Sequence, residues 1–315
     1  MSARVRHETD ARAATWWTRC YVRCMRIARD KRAFMGSART RRTALARQRR
    51  GDRPPTWVTR VLTRTSQGRS ADMVRWTVRP RRRQPVARVL YLHGGGYVHP
   101  LTRDYWRLVR ALVRAPAEVV VPAYPLAPSA TVDHVVPRLL ELADELLHDP
   151  EELPLVLMGD SAGGALVLVL AQHLRDAGAS RPALVVGLCP WLDARLEESE
   201  VGDLEPTDPM LATSGLRAAG RWWAGPRDPG DPVVSPLFGD LSGLPPVHVW
   251  IGDRDILRPA VDRLEQEASR VDAGLVVHEV SAMFHVWMTR WVPEGRRTRR
   301  ALRQLVASTG ASLSG

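Results

Sequence analysis

One serine stands where it could act as a nucleophile. Leu155–Met158 is a short apolar run, Gly159-Asp160-Ser161-Ala162-Gly163 follows it, and a long apolar helical segment comes next. A strand that turns sharply into a helix holds the serine at its apex in a strained conformation, so that the hydroxyl projects from the turn. Gly159 and Gly163 leave out side chains that would collide across that turn. The helix start aims free backbone N–H groups at the reacting centre. The bland alternative is an ordinary turn serine.

A second chemical element is His93-Gly94-Gly95-Gly96, which directly follows another apolar run. Successive glycines at a strand end let the backbone approach a ligand and present N–H groups to it. Such a loop serves a phosphate or the oxyanion of a tetrahedral intermediate. No Gly-Lys-Ser/Thr follows and no Gly-x-Gly-x-x-Gly opens a helix, so the nucleotide readings fail. Beside a serine nucleophile, the oxyanion reading wins.

A nucleophilic serine needs a base, and the base needs an orienting acid, expected in the chain order Ser, Asp, His on loops after later strands. The run Val247–Ile251 ends in Gly252-Asp253-Arg254-Asp255, where two carboxylates compete. The run Leu275–Val280 ends in Ser281-Ala282-Met283-Phe284-His285, and His285 is the one histidine of nine just beyond that last strand. His248 and His278 fall inside strands and read as half-buried or surface residues.

Positioning these groups is the task of an α/β architecture. Strands are expected at 57–65, 72–79, 86–92, 117–121, 154–158, 183–189, 245–251 and 275–280, with a turn at Gln67-Gly68 and an exposed tip at Arg81-Arg82-Arg83. Helices are expected at 104–114, 131–148, 162–177, 258–272 and about 295–307. Continuous Val, Leu and Ile strands alternating with helices predict a mostly parallel sheet with helices on both faces. The segment 190–244, rich in Pro, Gly and Asp, interrupts the alternation and carries one helix near 214–224. It is too long for a plain crossover and reads as a lid contribution.

Residues 8–50 read as helix. Trp16, Trp17, Cys20, Tyr21, Cys24, Met25 and Ile27 form an apolar stripe near the helical period, amid arginines. Residues 8–35 are read as a cap over the cleft; a helix lying on a membrane surface and, for 39–50, a disordered arm are the alternatives. Residues 51–315 are assigned to the catalytic domain, with 190–244 as its cap insertion.

The formal charge is +12 over 315 residues, and residues 1–50 alone hold 15 basic and 3 acidic side chains, so the remainder is balanced. Lys31 is the one lysine. This arginine usage weakens any phosphate-binding argument, and no nucleic-acid partner is expected. Cys20, Cys24 and Cys189 form no disulfide framework and show no metal spacing. A sparse, odd cysteine count, no signal peptide and no apolar run long enough for a bilayer predict a cytoplasmic protein without metal or cofactor.

The chain resembles the bacterial hormone-sensitive-lipase-like esterases (family IV lipolytic enzymes) of the α/β-hydrolase fold. The resemblance rests on His93-Gly94-Gly95-Gly96, Tyr124-Pro125-Leu126-Ala127-Pro128, Gly159-Asp160-Ser161-Ala162-Gly163-Gly164, Asp255-Ile256-Leu257 and Phe284-His285-Val286-Trp287, in that order, over roughly residues 54 to 308. It implies a nucleophile at Ser161, a base at His285 and an acid at Asp255, whose following residues match the family pattern where those of Asp253 do not. It also implies oxyanion donors at the N–H groups of Gly94, Gly95 and Ala162, with His93 shaping the loop. Pro125 and Ser129 depart from the Arg and Glu usual in the second motif.

The implied activity is hydrolysis of short- to medium-chain acyl esters. Trp16, Trp17, Trp191, Trp222 and Trp223 are candidates to line the substrate pocket, the alternative being that they pack the cap. Rival readings are amide or N-acetyl hydrolysis of a small metabolite and a silent small-molecule-binding protein on the same fold. A small acyl ester is the expected partner; weak contact of residues 1–50 with a membrane or anionic surface and a homodimer are left open.

Overall fold

The computed structural model describes residues 5–311; residues 1–4 of the expected arm and 312–315 of the expected catalytic domain lie outside it. Strands built wholly of apolar residues must be covered on both sides, and the chain order reflects this. β1 (Val5–Asp10) is followed by α1 (Trp16–Ala28), α2 (Ser37–Gln48) and α3 (Trp57–Leu62), then by β2 (Arg64–Ser70) and β3 (Met73–Arg79). Strict alternation follows: β4 (Ala87–Leu92), α4 (Tyr105–Val113), β5 (Ala117–Ala123), α5 (Val132–Leu147), β6 (Leu155–Asp160), α6 (Ala162–Asp176) and β7 (Leu184–Leu188). Two helices, α7 (Val201–Leu204) and α8 (Thr213–Ala224), break it before β8 (Val247–Gly252), α9 (Arg258–Arg270), β9 (Leu275–Val280) and α10 (Pro293–Ala311).

The nine strands form one sheet in the order β1-β9-β8-β7-β6-β4-β5-β3-β2. Only β5–β3 and β3–β2 are antiparallel. β4, β6 and β7 are buried along their whole length. Arg88, the interruption in the apolar run of β4, lies directly opposite Glu118 on β5 and pairs with it. Its remaining nitrogens reach Leu146 O at 3.2 Å and Asp149 at 3.0 Å, so the buried charge is fully partnered. α4 and α10 pack on each other and on the sheet; α5 packs on α6, and α6 on β4, β6 and β7.

Several local expectations are corrected. Residues 8–10, expected to begin a helix, belong to β1, which pairs in parallel with β9. The expected strand at 57–65 is largely the helix α3, capped by the Thr56 hydroxyl, which accepts from Thr59 N at 3.3 Å. Gln67 and Gly68 are not a turn. They lie inside β2 opposite Trp76 and Arg75, and the chain reverses at Ala71-Asp72, both at positive φ. The disordered-arm reading of 39–50 fails because α2 buries Thr40 and Ala44, and Gln48 Nε2 donates to Val98 O and Ala127 O, each at 2.8 Å. Gly215 of α8 comes so close to the 30–34 turn that a Cβ there would meet Phe34 O at 2.0 Å. The N-terminal helices and the insertion are thereby packed together.

Candidate active site

The four loops read from sequence leave the same edge of the sheet, at the carboxyl ends of β4, β6, β8 and β9. At the end of β6, Ser161 adopts φ 53° and ψ −119°, a conformation that an L-residue holds only when its surroundings over-determine it. Here Ser161 N donates to Leu188 O at 2.9 Å and Ser161 O accepts from Trp191 N at 2.9 Å. The turn tolerates no side chain at its flanks. A Cβ on Gly159 would meet Gly163 O at 2.2 Å, and one on Gly163 would meet Leu92 O at 2.0 Å.

His285 Nδ1 donates to Asp255 Oδ2 at 2.7 Å, both residues buried. The other Asp255 oxygen accepts from Leu257 N at 3.0 Å. Burial disfavours the charged imidazole, but the Asp255 carboxylate, with Asp208 and Asp160 behind it, outweighs burial and raises the His285 pKa above its usual value. Ser161 and His285 line one cavity of about 130 Å³ together with Gly95, Gly96, Phe34 and Leu211. Asp253, the competing carboxylate, makes no contact with His285 among the described hydrogen bonds.

The glycine loop corrects one expectation. Gly94 N donates to Asp160 Oδ1 at 3.0 Å, so this N–H is committed and cannot receive an oxyanion. Gly95 and Gly96, at φ +109° and +61°, face the cavity instead, and among the described residues no acceptor takes either N–H. Ala162 opens α6, so its N–H has no partner within the helix. His93 Nδ1 donates to Gly94 O at 2.7 Å, its ring stacks on Tyr124 at 4.4 Å, and the Tyr124 hydroxyl donates to His93 O. The Tyr124–Pro128 segment therefore buttresses the loop from behind despite Pro125 and Ser129.

None of the five candidate tryptophans lines this cavity. Trp16 and Trp17 are 64% and 56% exposed. α1 turns its other face inward, where Thr15 N and the Thr18 hydroxyl bond Glu294 and Val22 and Met25 are buried. Trp223 and Trp191 are buried and stack on Tyr97 at 4.3 and 5.3 Å, packing beneath the glycine loop. Trp222 is half-buried beside them. The cap segments contribute Phe34, Arg47, Met210 and Leu211 instead.

Three buried polar residues escaped the sequence reading. Asp160 accepts from the Tyr91 hydroxyl at 2.6 Å as well as from Gly94, and burial pushes its carboxyl up to about 6. Asp208, from the insertion, accepts from Met210 N and Leu211 N at 2.7 and 2.9 Å and from Ile256 N at 3.3 Å. Burial and the nearby Asp255 charge push it to about 6 as well. His99 lines the cavity with neither ring nitrogen partnered, and burial beside Arg47 lowers it to about 3, leaving a neutral imidazole facing any ligand.

Cys189, Asp255 and His285 bring possible metal-ligand atoms within 4.8 Å of one another. Their chemistry does not suit a cation. The His285 nitrogen is bonded to Asp255, Cys189 Sγ accepts from Val286 N at 3.3 Å, and burial holds the thiol protonated, whereas metal binding needs the thiolate. Among the described residues, no helix is long and apolar enough to cross a membrane.

Comparison with known proteins identifies the fold. The alpha/beta hydrolase fold family matches residues 89–289. An acetyl-hydrolase of Streptomyces hygroscopicus is 33% identical over 229 residues, covering 70% of this chain and 75% of its own. An esterase of Acinetobacter venetianus is 26% identical over 227 residues, covering 70% and 74%. The crystal structure of an esterase from the bacterial hormone-sensitive lipase family superposes with a TM-score of 0.81 at 25% identity, covering 94% of this chain and 99% of that one.

Proposed function

This chain belongs to the α/β-hydrolase fold family and, within it, to the bacterial hormone-sensitive-lipase-like esterases, and on that premise we propose that it hydrolyses short-chain acyl esters through Ser161, His285 and Asp255. The supporting observation is that the Asp255–His285 hydrogen bond and the strained Ser161 meet at one cavity. His285 Nε2 takes the Ser161 proton as the serine oxygen attacks the ester carbonyl. The N–H groups of Gly95, Gly96 and Ala162 receive the resulting oxyanion. Collapse of the tetrahedral intermediate breaks the bond to the alcohol, which leaves with the proton from His285. Water then attacks the acyl-serine, losing a proton to His285, and release of the acid returns that proton to Ser161. Asp255 holds the tautomer with Nδ1 protonated and stabilises the imidazolium in both steps.

The cavity favours the short end of the acyl range. At about 130 Å³ it holds roughly four water-sized groups, enough for an acetyl to butyryl chain. The name of the Streptomyces hygroscopicus relative, an acetyl-hydrolase, points the same way. The experiment is hydrolysis of p-nitrophenyl esters from acetate to palmitate, with Ser161→Ala as control. The expected rate peaks at short chains and vanishes in the variant, which stays folded. Retention of most activity in Ser161→Ala would overturn the nucleophile. Activity on an anilide but not on the matching ester would turn the reading to amides.

A further inference from the structure

The even charge balance of residues 51–315 hides a strongly basic face. α10 carries Arg296, Arg299, Arg300 and Arg303, and α4 carries Arg107 and Arg110 with Arg114 just beyond it. Each set recurs every three or four residues, so each forms one stripe along its helix. The two stripes face each other across a cavity of about 430 Å³ that also holds Trp291. Adjoining it is a second cavity of about 620 Å³, which shares Arg110 and Arg114 and adds Arg81, Arg82 and Arg83. Among the described residues no carboxylate lines either cavity. Of the described carboxylates, only Asp104 comes within 4.0 Å of any of these arginines, at 3.9 Å from Arg107, and Asp104 is itself closer to Arg290. Burial, with this crowding of like charge behind it, lowers the Arg299 pKa to about 10.

Large apolar side chains flank the basic face. α3 is inside out: it buries Thr59, whose hydroxyl accepts from Arg110 at 2.9 Å, and leaves Trp57, Val61 and Leu62 at 75%, 55% and 52% exposure. Val61 and Leu62 line the second cavity. Trp291, 71% exposed, lies under the Arg107 guanidinium at 4.0 Å. A helix that turns its apolar side outward on an otherwise polar surface calls for a partner. Uncompensated arginines around it fix that partner's charge as negative.

We propose that the α3–α4–α10 face docks on an anionic phospholipid bilayer, with the arginines on the headgroup phosphates and Trp57, Val61, Leu62 and Trp291 at the acyl boundary. Aromatic rings beside cationic side chains are the pairing that suits the headgroup layer. Arg290 and Trp291 are neighbours in sequence, the first lining the catalytic cavity and the second the basic one. A docked molecule therefore holds its catalytic cavity beside the membrane.

The test is co-sedimentation of the full chain with vesicles of phosphatidylcholine, alone or mixed with phosphatidylglycerol. The chain should sediment with the mixed vesicles, less so at raised salt, and hardly with phosphatidylcholine alone. Arg296→Ala/Arg300→Ala/Arg303→Ala should weaken this on the order of 100-fold. Trp57→Ala/Leu62→Ala should weaken it about tenfold or more. Unchanged hydrolysis of a soluble ester reports that both variants are folded. Trp16→Ala/Trp17→Ala should bind as the parent does. Equal binding to phosphatidylcholine alone, an arginine variant that still binds, loss of binding in the Trp16/Trp17 variant instead, or retention of duplex DNA without vesicle binding would each overturn the proposal.

Discussion

Gly94 gives its backbone N–H to Asp160 Oδ1 at 3.0 Å, tying the loop after β4 to the residue before Ser161. The contact is so close that a Cβ on Gly94 would lie 2.3 Å from the other Asp160 oxygen. The bond fixes the glycine loop relative to the serine turn and leaves Gly95 and Gly96 free to donate. Asp160→Ala should therefore lower kcat about 10- to 100-fold with little change in KM, since it disturbs a group that acts in the transition state. Steady-state kinetics on p-nitrophenyl acetate decide it; a rise in KM at constant kcat would contradict the assignment.

Asp255→Asn should reduce kcat about 10⁴-fold by favouring the wrong His285 tautomer. It should also move the acid limb of the pH–rate profile. On the proposed mechanism His285 must be neutral to accept the serine proton, and its pKa is raised, so the parent's limb falls above 6.5. Burial without the carboxylate charge lowers it. A limb that stays in place in the variant would assign that titration to another group.

Asp160 and Asp208 should stabilise the folded chain at low pH and lose that contribution as pH rises from about 4 to about 7, against the opposite trend of the buried His99 and His248, which burial lowers to about 3 and about 4. Asp160 and Asp208 titrate near 6 in the folded chain, above the ordinary 3.8, so they bind protons more tightly folded than unfolded. Their contribution is fully present below the unfolded value and is lost as pH rises through about 6. His285, also raised, adds stability below 6.5 that is lost as pH rises through its folded value. The thermal midpoint of the parent should gain on that of Asp208→Asn as pH falls through about 6; a difference that stays constant with pH would remove Asp208 from the account.

Phe34 sits at the cavity wall, its ring centroid 5.2 Å from that of His99 in an edge-on arrangement and a ring carbon 3.0 Å from where a Gly96 Cβ would lie. Phe34→Leu should shift the preferred p-nitrophenyl ester to a longer chain and leave the acetate rate within about threefold, because it removes volume without touching the donors. Trp16→Ala and Trp17→Ala should leave the chain-length profile as it is. A profile that responds to the tryptophans and not to Phe34 would reverse the assignment of the wall.

The parallel strands and the serine turn were legible because their signals are local: a run of apolar residues, then glycines where no side chain fits. The errors fall where the deciding partner is distant in sequence. Thr18 faces inward because Glu294 on α10 accepts its hydroxyl, with Thr15 N donating to the same carboxylate, and a hydrophobic period cannot register a threonine. Ala71-Asp72 turns with both φ positive but carries no glycine, so Gln67-Gly68 looked the better turn. β2 is polar and lies at the sheet edge, so nothing apolar marks it and its register comes from β3. The family pattern located the glycine loop, but only the Asp160 contact distinguishes Gly94 from its two neighbours.

β1 lies against β9 with Val5 opposite Leu275, so the first described strand to leave the ribosome has its only ladder partner among the last. About 270 residues separate them, which at bacterial elongation speeds is on the order of 10–60 s of synthesis. Through that interval β1 is a bare strand beside a growing chain full of valine-rich segments. Its sequence, Val-Arg-His-Glu-Thr-Asp, is mostly charged or polar, a composition that resists pairing with the wrong neighbour. A strand with no buried residue is thus suited to waiting, and this edge of the sheet is completed only once the histidine-bearing end has been made.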